Sequence, residues 1–114
     1  MSLALFAGIP VTDLATAQAW YERLFGTPPA FFPNDVEAVW ELAENRSVYI
    51  ELKPEHAGHA MVTAFLDDLD AFVDAAAERG LVPDVRETYD NGVRHTTYRD
   101  PDGNEISFGG APLA

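Results

Sequence analysis

The sequence predicts a single α+β domain in which a β-α-β-β-β unit occurs twice, and three observations carry that prediction. Two apolar strands each run into an acidic cap and an amphipathic helix closed by glycine. Each helix is followed by three short strands separated by turn signals. Short segments then match between the halves: Thr12-Asp13-Leu14 with Asp67-Asp68-Leu69, Glu22-Arg23 before Gly26 with Glu78-Arg79 before Gly80, and Ile50-Glu51-Leu52 with Ile106-Ser107-Phe108. Self-similarity at a fixed spacing is an architectural signal. The chain of 114 residues is the length of one domain. Within residues 1–114, module one covers about 3–53, a linker 54–58, and module two about 59–110.

Residues 3–11 alternate loosely, with Leu5, Ala7, Ile9 and Val11 on one face and Phe6, Gly8 and Pro10 on the other. Thr12 and Asp13 cap a helix whose apolar stripe is Leu14, Ala17, Trp20, Tyr21, Leu24 and Phe25. Residues 30–32 form a short strand turned by Pro33-Asn34-Asp35, and strands follow over 37–43 and 47–53. In the last of these, Val48, Ile50 and Leu52 face one way and Tyr49 and Glu51 the other. Pro54 breaks it, and His56 reads as a loop residue. The second unit runs as a strand over 59–66, a helix capped by Asp67-Asp68 with Leu69, Phe72, Val73 and Ala76 buried, and strands over 84–89, 93–99 and 105–108. Asp90-Asn91-Gly92 and Asp100-Pro101-Asp102-Gly103 are hairpin turns. Each half has too little sheet to stand alone, so the halves must pack together or exchange between chains.

Composition narrows the function. Nineteen acidic residues against seven basic ones give a net charge of −12. Such a surface repels nucleic acid and anionic membrane, because phosphate binding needs basic clusters. No apolar run approaches the roughly 20 residues of a membrane span, and the start of the chain lacks a signal-peptide pattern. The absence of cysteine excludes disulfides, thiolate metal sites and cysteine nucleophiles, and fits a reducing cytoplasm. There is no serine nucleophile motif, phosphate-binding glycine loop or zinc-protease motif.

The run Trp20-Tyr21-Glu22-Arg23-Leu24-Phe25-Gly26 after Asp13, the pair of segments Asp67-Asp68-Leu69-Asp70 and Glu78-Arg79-Gly80-Leu81, and the turn Asp100-Pro101-Asp102-Gly103-Asn104 resemble the vicinal oxygen chelate superfamily over nearly the whole chain. That superfamily includes glyoxalase I, fosfomycin-modifying enzymes, extradiol dioxygenases and bleomycin-binding resistance proteins. The resemblance implies two tandem modules forming a curled mixed sheet around a cleft, and a homodimer that completes each cleft across chains. It also implies four metal-ligand positions, which here carry Phe6, Glu51, Met61 and Ser107. Only Glu51 matches, so the resemblance points to a small-molecule binder of the bleomycin-resistance type without the family metal centre. The alternative is a metal-dependent lyase, isomerase or dioxygenase whose divalent metal ion is held by Glu51, His59 and Glu105, the latter two lying one strand step from Met61 and Ser107. The expected ligand cleft comprises Phe6, Trp40, Tyr49, Glu51, His59, Met61, Phe65 and Ser107. Its aromatic and carboxylate character suits a small molecule that is partly aromatic and neutral or cationic. The same aromatic surface suits a dimer interface, and alternation alone leaves open which face of strand 93–99 lines the cleft.

Overall fold

A computed structural model describes residues 1–113. Module one consists of β1 (Leu5–Val11), α1 (Leu14–Phe25), β2 (Phe31–Asn34), β3 (Glu37–Ala43) and β4 (Arg46–Leu52). A single 3-10 turn over Pro54–His56 leads to module two: β5 (Met61–Leu66), α2 (Leu69–Glu78), β6 (Val85–Thr88), β7 (Arg94–Arg99) and β8 (Glu105–Gly110). Each module makes one mixed four-stranded sheet, ordered β1-β4-β3-β2 and β5-β8-β7-β6. The first and last strands of each module pair in parallel, and the remaining neighbours are antiparallel. Among the described residues no helix is long and apolar enough to cross a membrane.

The helices start and stop where their termini are satisfied. Asp13 and Asp68 accept hydrogen bonds from the amides of Thr16 and Ala71, which are among the orphan donors of a helix start. Gly26 ends α1 in the left-handed region, with φ 77°, where an L-residue would strain. The Arg79 guanidinium reaches over from the end of α2 and donates to the Arg23 and Leu24 carbonyls. One helix thus caps the carbonyl end of the other.

Both helices press into one shared core. It joins Ile9, Val11, Trp20, Tyr21, Leu24, Trp40 and Ile50 of module one to Val73, Ala76, Tyr98, Ile106 and Phe108 of module two. A polar junction crosses the seam beside it. The buried Tyr21 hydroxyl donates to Asp100 (2.8 Å). Asn104, fully buried, donates to the Pro10 carbonyl and to Asp100, and accepts from the amides of Gly58 and Ala60. Thr12 donates to Asp102 through both its amide and its hydroxyl. The end of β1, the linker and the β7–β8 turn are therefore tied at one point.

Several boundaries differ from the sequence reading. β2 runs through Pro33 to Asn34, because as an edge strand it tolerates a residue with no amide hydrogen. β5 starts at Met61 rather than residue 59, since the Asn104 side chain takes the Gly58 and Ala60 amides. β8 continues to Gly110 opposite Leu66 and Arg94. The match between Ile50-Glu51-Leu52 and Ile106-Ser107-Phe108 is also displaced by two residues. Phe6 faces Ser47 where Met61 faces Glu105, so Tyr49 corresponds to Ser107 and Glu51 to Gly109.

Burial, with Asp100 beside it, raises the Tyr21 pKa well above its ordinary value of 10.0. The stability this gives is fully present below pH 10 and is lost as pH rises further, where only the unfolded chain ionises. Tyr21→Phe should cost about 1–3 kcal/mol at neutral pH. It should also flatten the decline in stability toward about pH 11. Urea unfolding at both pH values checks this, and equal slopes for the two proteins would refute it.

Candidate functional site

Each sheet has one face against the helices and one open face. In β4, Val48 and Ile50 enter the core, so Ser47, Tyr49 and Glu51 take the other side. In β1, Ile9 and Val11 are buried and Phe6, Gly8 and Pro10 share the open side. Gly8 pairs with Tyr49 and Pro10 with Glu51 across the parallel ladder. The Tyr49 ring lies directly over Gly8: a β-carbon there would stand 2.6 Å from the phenol oxygen. The absent side chain is what lets the ring lie flat.

Beside that ring is a hollow of about 190 Å³ lined by Gly8, Pro10, Tyr49, Glu51, Lys53 and His56. Glu51 and Lys53 reach it because they are two residues apart in extended chain. His56 reaches it because Pro54 opens a 3-10 turn that folds the chain back, while the Lys53 amide is held by the Val11 carbonyl. From the sequence alone His56 reads as a loop residue. The signal available was the proline two positions earlier, which fixes φ at the start of a turn. An imidazole, a carboxylate, an ammonium and a phenol thus surround one small concavity.

The open face of the second sheet is more apolar. Met61 is 80% exposed and Phe65 64%. Phe65 repeats the aromatic-over-glycine arrangement, with a β-carbon at Gly109 falling 3.0 Å from its ring. Ser107 and Thr97 share a hydroxyl hydrogen bond of 3.0 Å, which puts His95, Thr97 and Arg99 on the open side. His95 stacks on Tyr89, with ring centroids 5.7 Å apart, and lies 3.5 Å from Glu87.

Of the expected cleft residues, Tyr49 and Glu51 share the hollow, and Phe6 lies on the same open face, half exposed. Met61, Phe65 and Ser107 lie on the open face of the other sheet, and none of them lines that hollow. Trp40 corrects the expectation. It is 1% exposed on the helix side of β3, and its indole N–H donates to the Thr27 carbonyl. His59 is exposed and precedes β5.

The residues at the family's metal positions do not fit a divalent ion. Phe6 offers no donor, Met61 a soft thioether, and Ser107 a hydroxyl engaged by Thr97. The alternative set fares no better: the Arg99 guanidinium holds Glu105 at 3.2 Å. Among the described residues no three His, Cys, Asp or Glu side chains gather as a metal site would require.

Paired β-α-β-β-β modules, a core at their seam and open sheet faces define a class of fold with many chemistries. A profile of the glyoxalase/bleomycin resistance protein/dioxygenase superfamily matches residues 3–108. The chain belongs to that superfamily. It is similar to a solved glyoxalase/bleomycin resistance protein from Catenulispora acidiphila, at 55% identity and TM-score 0.94, over 97% of this chain and 100% of that one. It shares its fold with a bleomycin resistance determinant encoded on the transposon Tn5, at 20% identity and TM-score 0.80 over 98% and 100% of the two chains. A bleomycin-binding protein solved with bleomycin is similar at 20% identity and TM-score 0.76, over 97% and 99%. No curated protein sequence matches significantly.

The two glycines generate a graded test. Gly8→Ala meets the Tyr49 ring at 2.6 Å and Gly109→Ala meets Phe65 at 3.0 Å. Gly8→Ala should cost about 1–3 kcal/mol, as overpacking does, and should move the Tyr49 ring resonances. Gly109→Ala should cost less. Thermal unfolding and proton spectra of both variants check this; equal costs would contradict the seating of Tyr49.

Proposed function

We propose that this chain is a small-molecule-binding protein of the bleomycin-resistance type that works without the family's metal centre. The observation that carries the reading is the hollow that gathers Tyr49, Glu51 and His56; of the four positions that the resemblance gives to metal ligands, Glu51 alone lies in it, and the others, outside it, hold carbon, sulfur and an occupied hydroxyl. The ligand is partly aromatic and neutral or cationic. The Tyr49 face attracts a cation by about 0.5–2 kcal/mol, and Glu51 supplies a carboxylate beside it. The net charge of −12 favours a cation on approach.

A homodimer completes the site. At about 190 Å³ the hollow is smaller than the roughly 300 Å³ at which small-molecule pockets begin. Phe6, Met61 and Phe65 are more than half exposed on open sheet faces, and covering such side chains removes apolar area from water. A second copy laid over the face around Phe6 and Met61 would deepen the hollow and cover those side chains. Sedimentation should show a dimer at micromolar concentration; a monomer there would contradict this part of the reading.

Calorimetry against planar organic cations, neutral aromatics and small carboxylates tests the ligand class. A cationic aromatic should bind best. Glu51→Gln and Tyr49→Ala should each weaken it by about 1 kcal/mol or more. If small anions alone bind, or if metal analysis of native protein finds a stoichiometric divalent ion on Glu51, the reading is wrong.

A further inference from the structure

We propose a second ligand site, distinct from the Tyr49 hollow, at the other seam between the modules, and that it takes a small planar aromatic carboxylate. The two modules are related closely enough that each feature of one seam has a counterpart in the other. Helix caps Asp13 and Asp68 correspond, so Tyr21 corresponds to Ala76. The strand registers place Asn104 against Arg46, and Asp100 against Leu42 and Ala43, which a bulge in β3 separates. Phe65 stands where Pro10 stands.

At the first seam the Tyr21 ring fills the space and its hydroxyl meets Asp100. At the second seam Ala76 carries only a methyl group and is buried in the core, so no ring bearing an oxygen crosses from that position. A hollow of about 420 Å³ opens there, bordered by Phe25, Trp40, Leu42, Phe65, Phe72 and Phe108, with Thr27, Glu41 and Arg46 also on its lining. This volume lies within the range of small-molecule pockets. The chain itself shows what the equivalent place accepts: one aromatic ring carrying an oxygen.

The polar partner has changed with the ring. Where the first seam presents Asp100 and Asn104, the second presents Leu42 and Arg46. Among the described residues no carboxylate lies within ion-pair distance of that guanidinium. A guanidinium pairs with a carboxylate through two parallel hydrogen bonds, so the complementary ligand is an aromatic ring with an acidic group. Glu41 on the same lining disfavours a second negative charge, which limits the ligand to a monoanion. The protein's net charge repels such an anion only within a Debye length of about 8 Å at physiological salt, and an aromatic monoanion gains stacking that inorganic anions lack.

The probe is 2-naphthoate, titrated by calorimetry and by amide spectra of the intact protein. One molecule per chain should bind saturably and shift the amides of Ala64, Leu66 and Phe72. Arg46→Leu, a change at an exposed position, should weaken it roughly tenfold, the loss of one charge-assisted pair. Tyr49→Ala should leave it unchanged, which separates this site from the one proposed above. The cation 2-naphthylmethylammonium should bind here more weakly than the acid. Ala76→Tyr installs the missing ring and should abolish binding; if that variant does not fold, Arg46→Leu decides. Failure to saturate, as a second copy already seated in the hollow would produce, overturns the proposal. So do shifts confined to Tyr49 and Glu51, or an Arg46→Leu protein that binds as well as the original.

Discussion

The side chain of Asn104 is the most fully bonded of the contacts that join the two modules. Its oxygen accepts from Gly58 and Ala60 at 3.0 and 2.9 Å, and its nitrogen donates to Pro10 and Asp100 at 2.8 and 2.9 Å. Four hydrogen bonds are the full capacity of a primary amide, and none is spent on water, since the residue is fully buried. Asp100 extends the same junction. Besides Tyr21 and Asn104 it accepts the amides of Asp102 and Asn104 itself. A buried carboxylate is costly unless it is satisfied in this way. The turn Asp100-Pro101-Asp102-Gly103-Asn104 is therefore a connector first and a hairpin second.

The consequence is an asymmetric molecule built from symmetric parts. One seam is closed by a ring, an acid and an amide; the other presents Leu42 and Arg46 and stays open. The closed seam sets how the first sheet lies against the second, and with it where the open faces point. Tyr49 over Gly8 and Phe65 over Gly109 are the local version of the same economy, since each needs the glycine beneath it to lie flat. Membership of the superfamily fixes the fold; what the site binds depends on these particular side chains.

Much of this was legible in the sequence. Element order, helix caps and closing glycines followed from periods of 3.6 and 2 and from residues with special backbone freedom. Trp40 was not, for a physical reason: Val39 and Trp40 are adjacent, both apolar and both buried, so alternation cannot say which faces the helix. The bond from Trp40 to Thr27 decides it. The strand expected from His59 starts two residues later, at Met61, because a side chain far down the chain, Asn104, captures the Gly58 and Ala60 amides, and periodicity does not register such a capture. Tyr49 and Glu51 were readable as companions because Val48 and Ile50 alternate with them, whereas His56 joins them only through the turn after Pro54.

The Asp100–Asn104 junction makes the two modules one cooperative unit. Hydrogen exchange on Asp100→Ala tests it most directly, read at the amides of Ile50 in module one and Phe108 in module two. Both strands sit in the shared core, and exchange reports the free energy of the opening that exposes each amide. Protection should fall at both amides together and by the same amount. A loss confined to Phe108, with Ile50 protected as before, would show that the turn serves only its own module and would contradict the account.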